Sequence, residues 1–190
     1  MVDKVEKKIV PGMHPDLAYT LLTEEEIHRK VAEMGRLLAA EYRDKNPILV
    51  GILKGAVLFA SDLFRAMQVP ASIDFMAVSS YGASTKSSGV TRILKDLDQG
   101  VEGRHLLLVE DIVDTGLTLR YLRDYLEGRD PASLKVAVFL DKPSRRKVEV
   151  KVDYVGYEIP DEFVVGYGLD FAEGYRNLPY IGVLRPELYQ

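Results

Sequence analysis

The sequence predicts an α/β fold: a mainly parallel, twisted sheet flanked by helices, with a small amount of extra β structure from the terminal segments. Three observations carry this. Continuous apolar runs at Ile48-Leu49-Val50-Gly51-Ile52-Leu53, Leu106-Leu107-Leu108-Val109 and Leu134-Lys135-Val136-Ala137-Val138-Phe139-Leu140 suit strands buried on both faces, as in a parallel sheet under helices. Segments of helical spacing separate those runs, giving strand–helix alternation. Short β-like segments, Tyr154 to Tyr157, Val164 to Tyr167 and Tyr180 to Leu184, then close the chain.

The individual elements follow in order. Tyr19 to Leu22 is a short strand or lead-in. Thr23-Glu24-Glu25-Glu26 has capping-box spacing, with Thr23 as N-cap and Glu26 reaching back. Ile27, Val31, Met34, Leu38 and Tyr42 mark one face of the helix that follows, which stops before Asn46-Pro47. The strand 48–53 runs into Lys54-Gly55-Ala56 and a second helix bearing Val57, Ala60, Leu63, Phe64 and Met67. Ser72 to Val78 alternates like a strand with one wetter face. Ser79 to Gly89 is small and polar and reads as a mobile loop, before a strand from Val90 to Leu97. The run 106–109 leads to a helix carrying Leu119, Leu122, Tyr125 and Leu126, with Gly128 placed to cap it. After strand 134–140, residues 144–151 are basic and exposed.

Composition bounds the function. The chain has 190 residues, 47% hydrophobic and 28% charged, as expected of one globular domain over 1–190. A net charge of −4 argues against an extended nucleic-acid footprint. With no cysteine, disulfides and thiolate metal sites are excluded. The charged N-terminus has no apolar signal core, and no apolar run approaches the roughly 20 residues that span a bilayer. The expected location is the cytoplasm, with no membrane partner. His14, His28 and His105 lack ligand spacing and read as structural or surface residues.

The chemistry concentrates after the run 106–109. Glu110, Asp111 and Asp114, then the turn Thr115-Gly116-Leu117-Thr118, stand between the end of a strand and the start of a helix. Open α/β sheets bind ligands at that position, and a helix N-terminus favours phosphate. One acid there commonly caps the helix; three beside a small-residue turn point to a sugar phosphate. There is no Walker lysine and no Gly-x-Gly-x-x-Gly, so ATPase and dinucleotide chemistry lose support.

Val109-Glu110-Asp111-Ile112-Val113-Asp114-Thr115-Gly116-Leu117-Thr118 resembles the phosphoribosyl-pyrophosphate loop of the type I phosphoribosyltransferases, in the form found in hypoxanthine-guanine enzymes. The likeness extends from about Leu53 to Arg176. It implies the type I fold with a small β-rich hood, and phosphoribosyl pyrophosphate and a purine base (hypoxanthine or guanine) as substrates. It further implies Mg²⁺ as cofactor and self-association as dimer or tetramer. Glu110 and Asp111 would face the ribose hydroxyls, acceptor-only carboxylates meeting two donors. Asp114 with Thr115, Gly116, Leu117 and Thr118 would hold the 5′-phosphate, and Asp114 would exchange the N7 proton of the purine as general acid/base. Lys54, Gly55 and Arg176 would hold pyrophosphate, with a cis peptide at Leu53-Lys54; the family often has a second glycine where this chain has Ala56. Lys142 would contact O6, Phe163 would stack on the base, and Val164 would read its edge. Asp170 would act at the base edge or through a metal, so Glu110, Asp111 and Asp170 are the implied Mg²⁺ residues. Ser80 and Tyr81 open what resembles the family's flexible catalytic loop. As lone residues, Lys54 and Lys142 would be solvated lysines and Phe163 a core residue; the motif shifts each toward function. Arg145-Arg146-Lys147 reads as a solvated turn that could steer anionic substrate. Two alternatives stay open: a xanthine-preferring enzyme, and a nucleotide-sensing RNA-binding regulator on the same scaffold.

Overall fold

The protein is seen in a computed structural model that describes residues 3–80 and 91–189. In chain order its elements are β1 (Asp3–Lys4), β2 (Leu17–Leu22), α1 (Glu24–Tyr42), β3 (Ile48–Leu53), α2 (Val57–Met67), β4 (Ser72–Ser80) and β5 (Thr91–Lys95). There follow β6 (His105–Val113), α3 (Leu117–Glu127), β7 (Ser133–Asp141), β8 (Tyr154–Glu158), β9 (Val164–Val165) and β10 (Ile181–Leu184). Seven strands form one sheet in the order β1-β8-β7-β6-β3-β4-β5. All its neighbours are parallel except β4 with β5. A second, antiparallel sheet, β2-β10-β9, is the hood.

Strand alternation sorts the apolar runs onto two faces. Leu49, Leu107, Val109, Ala137 and Phe139 pack with Ile27, Val31 and Leu38 of α1 and Phe59 and Leu63 of α2. Ile48, Val50, Ile52, Leu106, Leu108, Val136 and Val138 pack instead with Leu119, Leu122 and Leu126 of α3. Register holds the rows together, as in Val50 beside Leu108 beside Val136. Each fully buried side chain of this size contributes about 1.5–3 kcal/mol, so the two faces together hold the sheet.

Local signals behave as their chemistry dictates. Thr23 and Glu26 form the reciprocal capping box, and Ile27, Val31, Met34, Leu38 and Tyr42 are all buried. Gly128 does end α3, but in a right-handed conformation (φ −67); the chain turns left-handed only at Asp130 (φ 52). β1, which adds parallel to β8, was not foreseen. The expected loop over 79–89 begins later than its composition suggests, since β4 runs through Ser80. From Tyr81 onward that loop lies outside the described residues.

The crossing of α1 over α2 depends on Gly35. A Cβ there would lie 2.6 Å from the Cβ of Ala66 and 2.8 Å from its carbonyl carbon and oxygen. Gly35→Ala would gain up to about 1 kcal/mol in helix propensity, yet overpacking against backbone costs about 1–3 kcal/mol. The variant is expected to have a lower urea midpoint than the parent at unchanged slope.

Candidate functional site

Topology places the site. After β3 the chain crosses through α2 to β4; after β6 it crosses through α3 to β7, on the other side. The chain ends of β3 and β6 therefore part and open a crevice, where open α/β sheets hold their ligands. Pairing between them reaches only Gly51 and Val109, while β6 continues beside β7 as far as Val113 opposite Asp141. Glu110 and Asp111 thus lie inside β6. This corrects the expectation that they follow the strand, and β7 supplies the reason by pairing with residues too polar to read as strand.

Being neighbours on a strand, the two acids point apart. Glu110 borders a small hollow with Thr115, Gly116 and Thr118. Asp111 faces a larger cleft and packs on Gly55, where a Cβ would stand 1.8 Å from Asp111 Oδ2. Burial raises both carboxyls. The charge of Asp111 raises Glu110 further. Asp111 is pushed up to about 6 by burial, against the opposing pull of the Ile112 amide and Arg176; that amide donates to Asp111 Oδ1 at 2.8 Å.

The predicted phosphate turn is built for an anion. Gly116 is the N-cap of α3 at φ 82; the Leu117 amide donates to Thr115 Oγ1 at 3.4 Å, and the Thr118 and Leu119 amides of the first turn are placed to meet an anion. An alanine at 116 would also meet Arg146 Cδ at 3.0 Å. The basic turn is exposed at Arg145 and Lys147, as expected, and it also braces this loop. Arg145 Nε donates to Asp114 Oδ1 at 3.1 Å and its Nη1 lies 3.6 Å from Asp161. Arg146 donates to the Asp114 carbonyl at 3.1 Å and pairs with Asp141.

A cleft of about 520 Å³ joins Asp111, Ile112 and Asp114 to Lys142, Phe163, Val164, Asp170 and Tyr189. Lys142 is buried, and its ammonium donates to the Glu162 carbonyl at 2.6 Å. Burial lowers its pKa, while Asp114 and Asp161 pull the other way. Phe163 is 36% exposed, stacked on Tyr189 at 4.8 Å between centroids and edge-on to Phe171.

The third group of expected residues gathers beside Asp111. The Leu53-Lys54 peptide is cis. Ala56 has φ −76, an ordinary helical value that explains why a second glycine is dispensable. Gly168, at φ 99, meets this loop directly, since a Cβ on it would stand 2.1 Å from the Gly55 carbonyl oxygen. Arg176 donates to the Gly168 carbonyl at 2.7 Å and lies 2.9 Å from Asp170 Oδ1. Lys54 Nζ is 3.0 Å from Glu173 Oε2. Among the described residues, no three His, Asp or Glu side chains converge as a metal site. Of the flexible-loop pair, Ser80 ends β4 and Tyr81 is outside the described residues.

Sequence reasoning missed Ile112, Asp161 and Tyr189. Ile112 carried a signal, lying within the acidic motif itself. Tyr189 carried none, because β10 brings it to the cleft from the far end of the chain.

Four similarities bear on this geometry. Residues 20–172 match the model of the phosphoribosyl transferase domain. The chain is 54% identical over 178 residues to the hypoxanthine-guanine phosphoribosyltransferase of Bacillus subtilis (strain 168), covering 94% of this chain and 99% of that one. A crystal structure of a hypoxanthine phosphoribosyltransferase from Staphylococcus aureus superposes with a TM-score of 0.90 at 50% identity, covering 94% and 97% of the two chains. The Trypanosoma cruzi hypoxanthine phosphoribosyltransferase in complex with the product IMP gives 0.88 at 46% identity, covering 94% and 100%.

The raised carboxyls have a consequence for stability. A group whose folded-state pKa exceeds its unfolded value costs stability as the pH rises between the two, here from 3.8 toward about 6 for Asp111. Asp111→Asn is therefore expected to melt higher than the parent at about pH 7.5, by roughly 2–4 °C for each kcal/mol relieved. The difference should vanish near about pH 3.5, which thermal melts across that range would check.

Proposed function

This chain belongs to the phosphoribosyl transferase family, and on that premise we propose that it transfers the 5-phosphoribosyl group of phosphoribosyl pyrophosphate to N9 of hypoxanthine or guanine. The products are IMP or GMP and pyrophosphate, a purine-salvage reaction. The observation that carries this is the single cleft in which Asp111 and Asp114 of the sugar-phosphate half meet Lys142, Phe163 and Val164 of the base half.

The residues divide the work by their chemistry. The first-turn amides of α3, with Thr115 and Thr118, take the 5′-phosphate. Glu110 and Asp111 accept from the ribose hydroxyls. Phe163 offers a ring face to the purine, and the backbone of Val164 reads its edge. The Lys142 ammonium donates to O6, which favours a 6-oxopurine over adenine, whose 6-amino group is itself a donor. As N9 bonds to C1 of the ribose, the C1–O bond to pyrophosphate breaks and the N7 proton passes to the Asp114 carboxylate. Lys54, the Gly55 amide and Arg176 receive the leaving pyrophosphate, Arg176 by paired hydrogen bonds.

Of the three carboxylates expected at a metal, Asp111 and Asp170 line one cleft and suit Mg²⁺, which binds through one or two carboxylates plus substrate oxygens, while Glu110 faces the neighbouring hollow. The raised pKa of Asp111 fits a neighbour that is cationic when substrate is present. When bound there, Mg²⁺ would neutralise charge on the pyrophosphate and polarise the ribose hydroxyls. The 190 residues work as one domain in a cytoplasmic dimer or tetramer, without nucleic acid. The net charge of −4 supports the reading without nucleic acid, and no helix among the described residues is long and apolar enough to cross a membrane.

An absorbance assay with phosphoribosyl pyrophosphate, Mg²⁺ and each of hypoxanthine, guanine, xanthine and adenine tests the assignment. Turnover is expected with hypoxanthine and guanine; none with any base would overturn it. Asp114→Asn should lower kcat by about 10²–10⁴-fold at an unchanged melting temperature, and a near-normal kcat would remove the proton-transfer role.

A further inference from the structure

Lys54 and Arg176 reach the site from separate loops, yet one carboxylate meets both. Glu173 Oε2 lies 3.0 Å from Lys54 Nζ and 3.5 Å from Arg176 Nη2. Glu173 is held there by an organised turn. Ala172, Glu173 and Tyr175 have φ values of 50, 65 and 70, left-handed backbone that side-chain-bearing residues rarely adopt. The turn is tied by the Glu173 amide, which donates to Asp170 Oδ2 at 2.9 Å, and by the Gly174 amide, which donates to the Phe171 carbonyl at 2.9 Å. Lys54, and secondarily Arg176, hold the Glu173 carboxyl below the usual range.

Two cations around one anionic oxygen is the arrangement a pyrophosphate oxygen would also require. The Lys54–Glu173 pair is open to solvent, each side chain 66% exposed, so it can be displaced with little penalty. Arg176 keeps a second anchor on Asp170 at 2.9 Å, so its guanidinium stays in place when Glu173 leaves.

Resting on the function proposed above, we propose that Glu173 is a resident competitor for pyrophosphate. Its carboxylate occupies Lys54 and Arg176 in the open site, gives way to the pyrophosphate of the incoming substrate, and returns as product pyrophosphate departs. It thereby weakens binding of both and speeds release, a step that limits the turnover of many enzymes.

Glu173→Gln removes the charge and keeps the side chain's length. Relative to the parent, the KM for phosphoribosyl pyrophosphate and the product-inhibition constant of pyrophosphate should each fall about two- to five-fold, the effect of an exposed ion pair. The KM for hypoxanthine and the melting temperature should stay unchanged. Titration calorimetry with Mg²⁺ and pyrophosphate should show the same gain in affinity. Unchanged constants, or a fall in KM without tighter pyrophosphate binding, would overturn the proposal. Weaker binding would also overturn it, assigning Glu173 to holding a metal instead. A parent protein inactive with every base would count against the proposed function, while the calorimetric comparison would still judge Glu173.

Discussion

The limited pairing of β3 with β6 is the constraint on which the site depends. The strands lie side by side through Gly51 and Val109, and then α2 and α3 draw their chains to opposite faces and opposite sides of the sheet. Parallel strands need such long crossovers, and crossovers leaving in opposite directions cannot close the gap between them. The sheet therefore provides the crevice, and β6 lines it by continuing alone with β7. Asp111 of β6 packs on Gly55 of the loop after β3 at that gap.

Into that gap the chain places charges that burial opposes. Glu110 and Asp111 are both desolvated, and Asp111 lies beside the Asp170–Arg176 pair. A fold selected for stability alone would put apolar side chains there. The surrounding cations limit the penalty. Arg145 and Arg146 brace the phosphate loop through the Asp114 side chain and carbonyl, and Arg176 offsets Asp111. Charge is thus balanced locally across the crevice, although the whole chain is acidic.

Much of this was legible in residue order. The apolar runs gave the sheet, Thr23 and Glu26 gave the start of α1, and the acids with Thr115 to Thr118 marked the site. What escaped shares one physical cause: partners distant in sequence. β6 extends through Glu110 to Val113 because β7 pairs with it, which side-chain polarity cannot reveal. Two-residue β1 forms only because β8 presents an edge. Arg145 is exposed as read, but its partners Asp114 and Asp161 are set by the fold, and Tyr189 joins Phe163 across the hood. Conversely, the expectation for Ala56 could be resolved only by its φ.

The contact between Gly55 and Gly168 bears on how such proteins can be recombined. The hood meets the catalytic core there backbone to backbone, with room for no side chain on either glycine: a Cβ at 55 would strike Asp111, and one at 168 would strike the Gly55 carbonyl. The hood side and the sheet side of this seam are consequently not interchangeable modules. A chimera that grafts a foreign hood to alter base choice must bring a glycine and its left-handed turn to this seam. Changing side chains such as Lys142 or Phe163 in place leaves the seam untouched.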